Sequence, residues 1–310
     1  MIRSRPHYPP EPSLTDLKSV RRSTLTGMAA ILMWSASLGL FRSIAEIFGA
    51  TGGAALIFSC SGVIASLALG WPRLRALPPL YLFGCGALFV SYEIALALSI
   101  GLAHDRQQAL ELGMINYLWP SLTVLLAIAS GAQRTSWLLG PAVALCFGGI
   151  AWVVVGDGDM SLPQLLTHVA SNPIAYGLAL AAAFIWAGYS VLTRRVGQGA
   201  NGVPVFLLAT AAVLWIKYAL GDAPALAFNW PGAAQILLLG VLTAAAYSCW
   251  NHGVQHGNLT VLATASYFTP VLSAALTSAW LGVRPGADFA VGVAMVTGGS
   301  LLCMVAVRKG

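Results

Sequence analysis

The sequence predicts an all-α membrane protein of ten transmembrane helices, arranged as two inverted five-helix repeats. Three observations carry that prediction. The 310 residues are 58% hydrophobic and only 8% charged, whereas a soluble domain carries roughly 25% charged residues. Ten long apolar runs fill the chain between turn signals. The second five runs read as a degenerate copy of the first five. Tyr117-Leu118-Trp119-Pro120 recurs at an offset of 150 as Tyr267-Phe268-Thr269-Pro270, and Gly148-Gly149 recurs as Gly298-Gly299. Trp34 followed by Arg42 recurs, offset by 152, as Trp186 followed by Arg194.

Each hydrocarbon crossing needs about 20 predominantly apolar residues, so ten crossings use roughly 200 and leave short loops. Residues 1–22 are polar, Pro-rich and basic, and are read as a cytoplasmic tail with no cleavable signal. The first repeat is 23–155. Its first span is 24–47, and Gly52-Gly53 opens the second, 52–70, which stops at Trp71-Pro72. Pro78-Pro79 opens the third, 79–101. The fourth is 106–130 and the fifth 135–155. The stretch 156–172 holds Asp157 and Asp159 and no Lys or Arg, as expected of an extracytoplasmic connecting loop. Asn172-Pro173 starts the second repeat, 173–310, and its first span, 173–195. Gly199 to Pro204 marks the entry to 202–220, and Trp230-Pro231 opens 231–253. Asn258 is placed to cap 258–281, and Arg284-Pro285-Gly286 precedes 286–307.

Orientation follows from the cations. With the N-terminus inside, only Arg42, Arg106, Lys217 and Arg284 of the 16 Lys and Arg residues fall outside. That excess predicts both termini in the cytoplasm. Five spans per half is an odd number, so the halves enter the membrane from opposite sides. A duplicated bundle of this kind is the usual body plan of a secondary transporter, with its path between the halves.

Composition also excludes classes. The formal charge of +6 sits at the ends of apolar runs rather than in one patch, which argues for membrane orientation and against nucleic acid. The cysteines Cys60, Cys85, Cys146, Cys249 and Cys303 all lie inside apolar runs without metal or redox spacing, and read as small packing residues. His252 and His256 have i,i+4 spacing but no third ligand, so neither a metal nor a cofactor is expected. No G-x-x-x-x-G-K-[ST] loop, G-x-S-x-G elbow or H-E-x-x-H helix is present, so neither ATP-driven transport nor hydrolysis is indicated and no enzyme is predicted. Scarce mid-membrane Lys and Arg disfavour phosphorylated cargo.

Two features bear on packing and motion. In lipid, helices associate through close contact of small residues. Gly140, Ala144 and Gly148 form a stripe on the fifth span that Ala290, Ala294 and Gly298 repeat on the tenth. These spans are expected to pack as scaffold through those stripes, although such stripes also serve contacts between molecules and leave oligomeric state open. Pro120 and Pro270 fall near the middle of the fourth and ninth spans, where proline kinks a helix and frees a carbonyl that must face protein or water. They mark a central cavity and candidate hinges.

The candidate site gathers at the same depth. Trp34, Tyr92, Asn116, Tyr117, Trp119, Trp186, Tyr189, Tyr247, Trp250, Asn251 and Tyr267 lie well inside spans. Trp and Tyr ordinarily favour the interfaces. A cavity so lined suits a flat apolar group whose polar end is held by hydroxyls and amides. Glu93 lies deep in the third span, where a carboxylate marks a functional site by default. Arg42 is its expected partner by depth, with Glu111 sharing the network. A structural ion pair, an ammonium or proton site and a neutral carboxyl all remain open for Glu93.

The ten-span inverted repeat, Pro120, Pro270 and the terminal Gly-Gly pairs resemble the drug/metabolite transporter superfamily in its ten-helix EamA-like branch, over roughly 24–307. Leu88-Phe89-Val90-Ser91-Tyr92-Glu93-Ile94, Asn116-Tyr117-Leu118-Trp119-Pro120-Ser121-Leu122, Phe184-Ile185-Trp186-Ala187, His256-Gly257-Asn258 and Ser266-Tyr267-Phe268-Thr269-Pro270-Val271-Leu272 are similar to bacterial aromatic amino acid exporters. The resemblance, and nothing in the spacing, implies aromatic amino acids and related small amphipathic metabolites as cargo, outward transport and an inner-membrane location. Tyr92, Asn116, Tyr117, Trp119, Trp186 and Tyr267, with Trp34 and Tyr189, are the residues expected to bind it. The same fold with other drugs or metabolites as cargo, and more remotely an intramembrane lipid-handling protein, are the alternatives.

Overall fold

The computed structural model describes residues 14–129, 134–155, 162–227, 229–257 and 259–308. The helices are α1 (Leu14–Phe48), α2 (Ala50–Leu69), a π-helical turn (Leu80–Cys85) running into α3 (Gly86–Gly101), α4 (Arg106–Asn116), α5 (Trp119–Ala129) and α6 (Leu139–Val155). After them come α7 (Leu162–Ser171), α8 (Pro173–Val196), α9 (Val203–Leu220), α10 (Trp230–His256), α11 (Leu259–Ser266), α12 (Thr269–Leu281) and α13 (Ala287–Ala306). A two-residue antiparallel ladder pairs Arg134–Thr135 with Val307–Arg308 and ties the start of α6 to the end of α13. Among the described residues, 8 helical segments are long and apolar enough to cross a membrane. They are α1, α2, the π turn with α3, α4 running into α5, α8, α9, α10 and α13. α6 is apolar but shorter.

Polar residues start the helices. Asp105 caps α4 by accepting from the Gln108 amide at 2.7 Å, Asn172 caps α8 through the Ala175 amide, and Asn229 caps α10 through the Gly232 amide. Each satisfies one of the donors a helix N-terminus leaves free. α8 and α10 carry proline in their first turn, where its missing N–H costs nothing. The Asn258 cap expected from the sequence lies outside the described residues, as does the Asn251 side chain.

The observed elements depart from the sequence reading in three places. α1 begins at Leu14, so Lys18, Arg21 and Arg22 ride on its first turns rather than in an irregular tail. The 156–172 segment contains α7, whose Leu165 and Val169 pack onto the core. The third concerns the prolines. The chain does not merely kink at them. It is interrupted, α4 from α5 at Tyr117–Leu118 and α11 from α12 at Tyr267–Phe268, and each proline becomes the second residue of a new helix. Proline is favoured there and disfavours helix in the residue before it. Ser266 carbonyl, whose usual donor Pro270 lacks, accepts instead from Thr269 Oγ1 at 2.6 Å.

α1 lies along α10 and also meets α12, α3 lies along α8 with α9 behind it, α2 lies along α9 and α10, α5 and α4 meet α8, and α6 lies along α13. The α1–α10 crossing is close because a side chain on Gly253 would sit 2.6 Å from the Gly27 Cα.

α6 and α13 do pack tightly, but through the face next to the expected stripes. Gly140, Ala144, Ala290 and Ala294 are exposed. The contact is made by Ala142, Cys146, Gly149 and Val153 against Gly292, Val296 and Gly299. One position along a helix turns the side chain by about 100°, so a register error of one residue moves the whole stripe. Gly149 and Gly292 decide the matter: a Cβ on either would stand 2.9 and 2.8 Å from the other's carbonyl oxygen. Gly292→Ala is therefore expected to destabilise the protein by about 1–3 kcal/mol, the usual cost of overpacking, and Ala294→Leu on the exposed face to have little effect. Thermal unfolding of the purified variants in detergent checks both.

Candidate substrate site

Three helices bring an aromatic cluster together. α3 presents Phe89, Tyr92 and Glu93 at i, i+3 and i+4, α8 presents Trp186 and Tyr189, and α10 presents Tyr247 and Trp250, spacings that put side chains on one helix face. α1 adds Trp34, and the α4–α5 break adds Asn116 and Trp119. Trp186 is the hub. Its ring centroid lies 4.4 Å from that of Tyr92, 4.9 Å from Tyr189 in a stacked arrangement, and 6.4 Å from each of Trp119, Phe89 and Tyr247. Trp34 meets Tyr247 edge-on at 5.4 Å and Trp250 at 5.3 Å. These are the separations at which aromatic quadrupoles attract. Tyr92, Phe89 and Tyr247 are buried, whereas Trp34, Trp119, Trp186, Tyr189 and Trp250 are half-buried.

The polar complement is sparse. Asn116, 5% exposed, places Nδ2 3.5 Å from the Tyr92 hydroxyl, and its Oδ1 is enclosed with no hydrogen-bond partner. A buried acceptor without a donor is uncommon in folded proteins and calls for an explanation. Glu93, equally buried, accepts a hydrogen bond from the Tyr247 hydroxyl.

The structure corrects the expected charge network. Arg42 does not reach Glu93. Its Nε pairs with Glu46 Oε1 at 2.9 Å, and its Nη1 donates to the Ala103 carbonyl at 2.5 Å. Arg106 binds the same Glu46 at 2.7 Å. Two constraints fix this. Glu46 is one turn from Arg42 on the same helix face, and the carbonyl end of α3 attracts a cation. Glu93 lies eight residues deeper than that end, about 12 Å along the axis at 1.5 Å per residue. Glu111 is also separate, its Oε2 accepting from Tyr176 at 2.6 Å. The three residues thus occupy three sites, and Glu46, which the sequence reading passed over, is the shared anion of the ion-pair network.

Tyr117 and Tyr267, at the two helix breaks, are buried, but among the described residues no ring contact joins either to the cluster. Tyr117 packs instead with Leu38, Ile115 and Phe289. Phe89 was missed. Its signal was available, because it stands three residues before Tyr92 on the same face of α3. His252 and His256 stack on one another at 4.8 Å, and Ser23 Oγ lies 3.2 Å from His252 Nε2.

Residues 173–305, which run from α8 into α13, match the EamA-like transporter family. A relative from Escherichia coli (strain K12), named aromatic amino acid exporter YddG, is 44% identical and aligns with 94% of this chain and 99% of its own length. Its namesake from Salmonella typhimurium is also 44% identical, over 93% of this chain and 99% of its own. The protein of that name from Ancylobacter novellus is 30% identical, over 93% and 98%. This chain belongs to the EamA-like transporter family. A solved crystal structure, 28% identical, superposes with a TM-score of 0.65 over 93% of this chain and 98% of the other. Family membership and the apolar helices make the protein a multi-pass membrane transporter.

Proposed function

We propose that the protein exports aromatic amino acids and related small amphipathic metabolites across the bacterial inner membrane by alternating access. The observation that carries this reading is the ring cluster around the partly exposed Trp186, next to the unpartnered Asn116 Oδ1. Stacked rings offer surface to an aromatic side chain. Asn116 Oδ1 offers an acceptor to the ammonium of an amino acid, which would supply the missing donor. Trp119, Tyr92, Tyr189 and Trp34 complete the walls, while Tyr117 and Tyr267 act at the breaks behind them. The names of the relatives agree with this cargo.

In this reading α6 and the interrupted α11–α12 also cross the bilayer, making ten spans in two inverted repeats. Helix pairing supports it. Exchanging each span for its counterpart in the other half turns the α1–α10 contact into α8–α3, turns α1–α12 into α8 with α4–α5, turns α2–α10 into α9–α3, and leaves α2–α9 and α6–α13 unchanged. A two-fold axis in the membrane plane requires that pattern. The interruptions before Pro120 and Pro270 are related by the same exchange and serve as hinges. The excess of Lys and Arg at one end supports cytoplasmic termini.

Counterflow of labelled phenylalanine in proteoliposomes, with and without a proton gradient, tests the proposal. Saturable exchange, competed by tyrosine and tryptophan but not by aspartate, is expected. Folded protein without exchange would overturn it.

A further inference from the structure

A second site lies apart from the ring cluster. A cavity of about 460 Å³ opens between the start of α4, the ends of α6 and α7 and the start of α13, a volume in the range of small-molecule sites. Among the described residues its polar lining includes the carboxylates Asp105, Glu111 and Asp288 and the imidazoles His104 and His168, with no Lys or Arg. Arg106, at the same end, is turned away to Glu46 and the Leu281 carbonyl.

Each carboxylate is fixed through one oxygen. Asp105 Oδ1 accepts from the Gln108 amide at 2.7 Å, Glu111 Oε2 from the Tyr176 hydroxyl at 2.6 Å, and Asp288 Oδ1 from Trp152 Nε1 at 3.2 Å. The second oxygen of each has no hydrogen-bond partner among the described residues. Glu111 matters most, since it is only 7% exposed yet lines the cavity, and its Oε1 is left to face that space. An anion held there calls for a cation with N–H donors.

The dimensions narrow the cation. No group of three His, Cys, Asp or Glu among the described residues could hold a metal ion. Val153, Val154 and Phe289 give the lining an apolar part. A ligand that satisfies both parts of the lining carries an ammonium and an apolar body. It carries no carboxylate, because that group would meet three carboxyl side chains and no Lys or Arg.

We propose that this cavity binds organic monoamine cations of the arylalkylamine class, at a site separate from the ring cluster. The site differs from the carrier site in its chemistry. It selects amines over the zwitterionic amino acids proposed as cargo, and it stands whether or not those amino acids are transported.

Isothermal titration of the full chain in neutral-lipid nanodiscs tests it, with 2-phenylethylamine, phenylalanine and phenylacetate as probes. The amine is expected to bind the wild type. Glu111→Gln and Asp288→Asn should each weaken it at least tenfold, and phenylacetate should not bind. Asp288→Asn, at the start of α13, keeps the test valid if the buried Glu111 variant does not fold. Wild-type amine affinity in the folded carboxylate variants, or phenylacetate binding as tight as the amine, would each overturn the proposal. Phenylalanine counterflow is measured on the same preparations, so failure of the carrier reading shows there and not in the amine titration.

Discussion

Trp186→Ala is expected to lower phenylalanine flux in proteoliposomes by at least tenfold, the largest single loss in the ring cluster. Five rings stand within 6.4 Å of this indole, and the residue is itself half-buried. A ring of the cargo packed against it makes one or two aromatic pairs, each worth about 0.5–1.5 kcal/mol beyond area burial, which corresponds to about twofold to a hundredfold in affinity before the lost burial is added. Trp→Ala also removes packing at a cost of about 3–5 kcal/mol in a core, so reduced flux alone does not separate binding from folding. Trp186→Phe makes the separation. It keeps a ring against Tyr92 and Tyr189, and is expected to unfold close to the wild-type temperature with flux between those of wild type and alanine. A folded Trp186→Ala protein with wild-type flux would remove this residue from the site.

Periodicity and composition revealed most of the architecture and little of its register. Apolar runs and the turn signals at Asn172-Pro173 and Trp230-Pro231 located helices well, because a lipid-spanning segment must be apolar along its length and a capped start is chemically distinctive. The α6–α13 pairing was also legible, whereas the face used was not. The stripes at Gly140 and Ala290 and the true contact at Gly149 and Gly292 are equally rich in small residues, and only the opposing backbone chooses between them. At the site, mid-depth aromatics singled out Trp186, Tyr92, Trp34 and Tyr189. Phe89 escaped because phenylalanine in a membrane helix has no polar atom to make it conspicuous. The supposed Arg42–Glu93 pair failed for a related reason. Depth along a helix can be counted from sequence, but the direction in which a guanidinium reaches depends on neighbours such as Glu46 and the end of α3.

Tyr247→Phe is expected to destabilise the protein more than Glu93→Gln. Tyr247 is the one described hydrogen-bond partner of the Glu93 carboxyl, and both side chains are buried. Removing the hydroxyl leaves a buried acceptor unsatisfied, at about 1–3 kcal/mol, or more if the carboxyl is charged. Glutamine keeps the shape and an oxygen that still accepts from Tyr247, so its cost should be smaller. The double variant Tyr247→Phe, Glu93→Gln completes a cycle whose interaction energy is expected between about 0.5 and 3 kcal/mol, as for residues in direct contact. Unfolding in detergent, followed for all four proteins, measures it, and additive losses would show that the two side chains are not coupled. The same variants separate support from transport. Glu93→Gln removes the capacity to carry charge while keeping the contact. It is therefore expected to fold, to lower phenylalanine flux and to flatten the dependence of flux on pH. Wild-type flux with a wild-type pH profile in Glu93→Gln would confine Glu93 to holding α10 against α3, and would leave Asn116 as the polar anchor of the site.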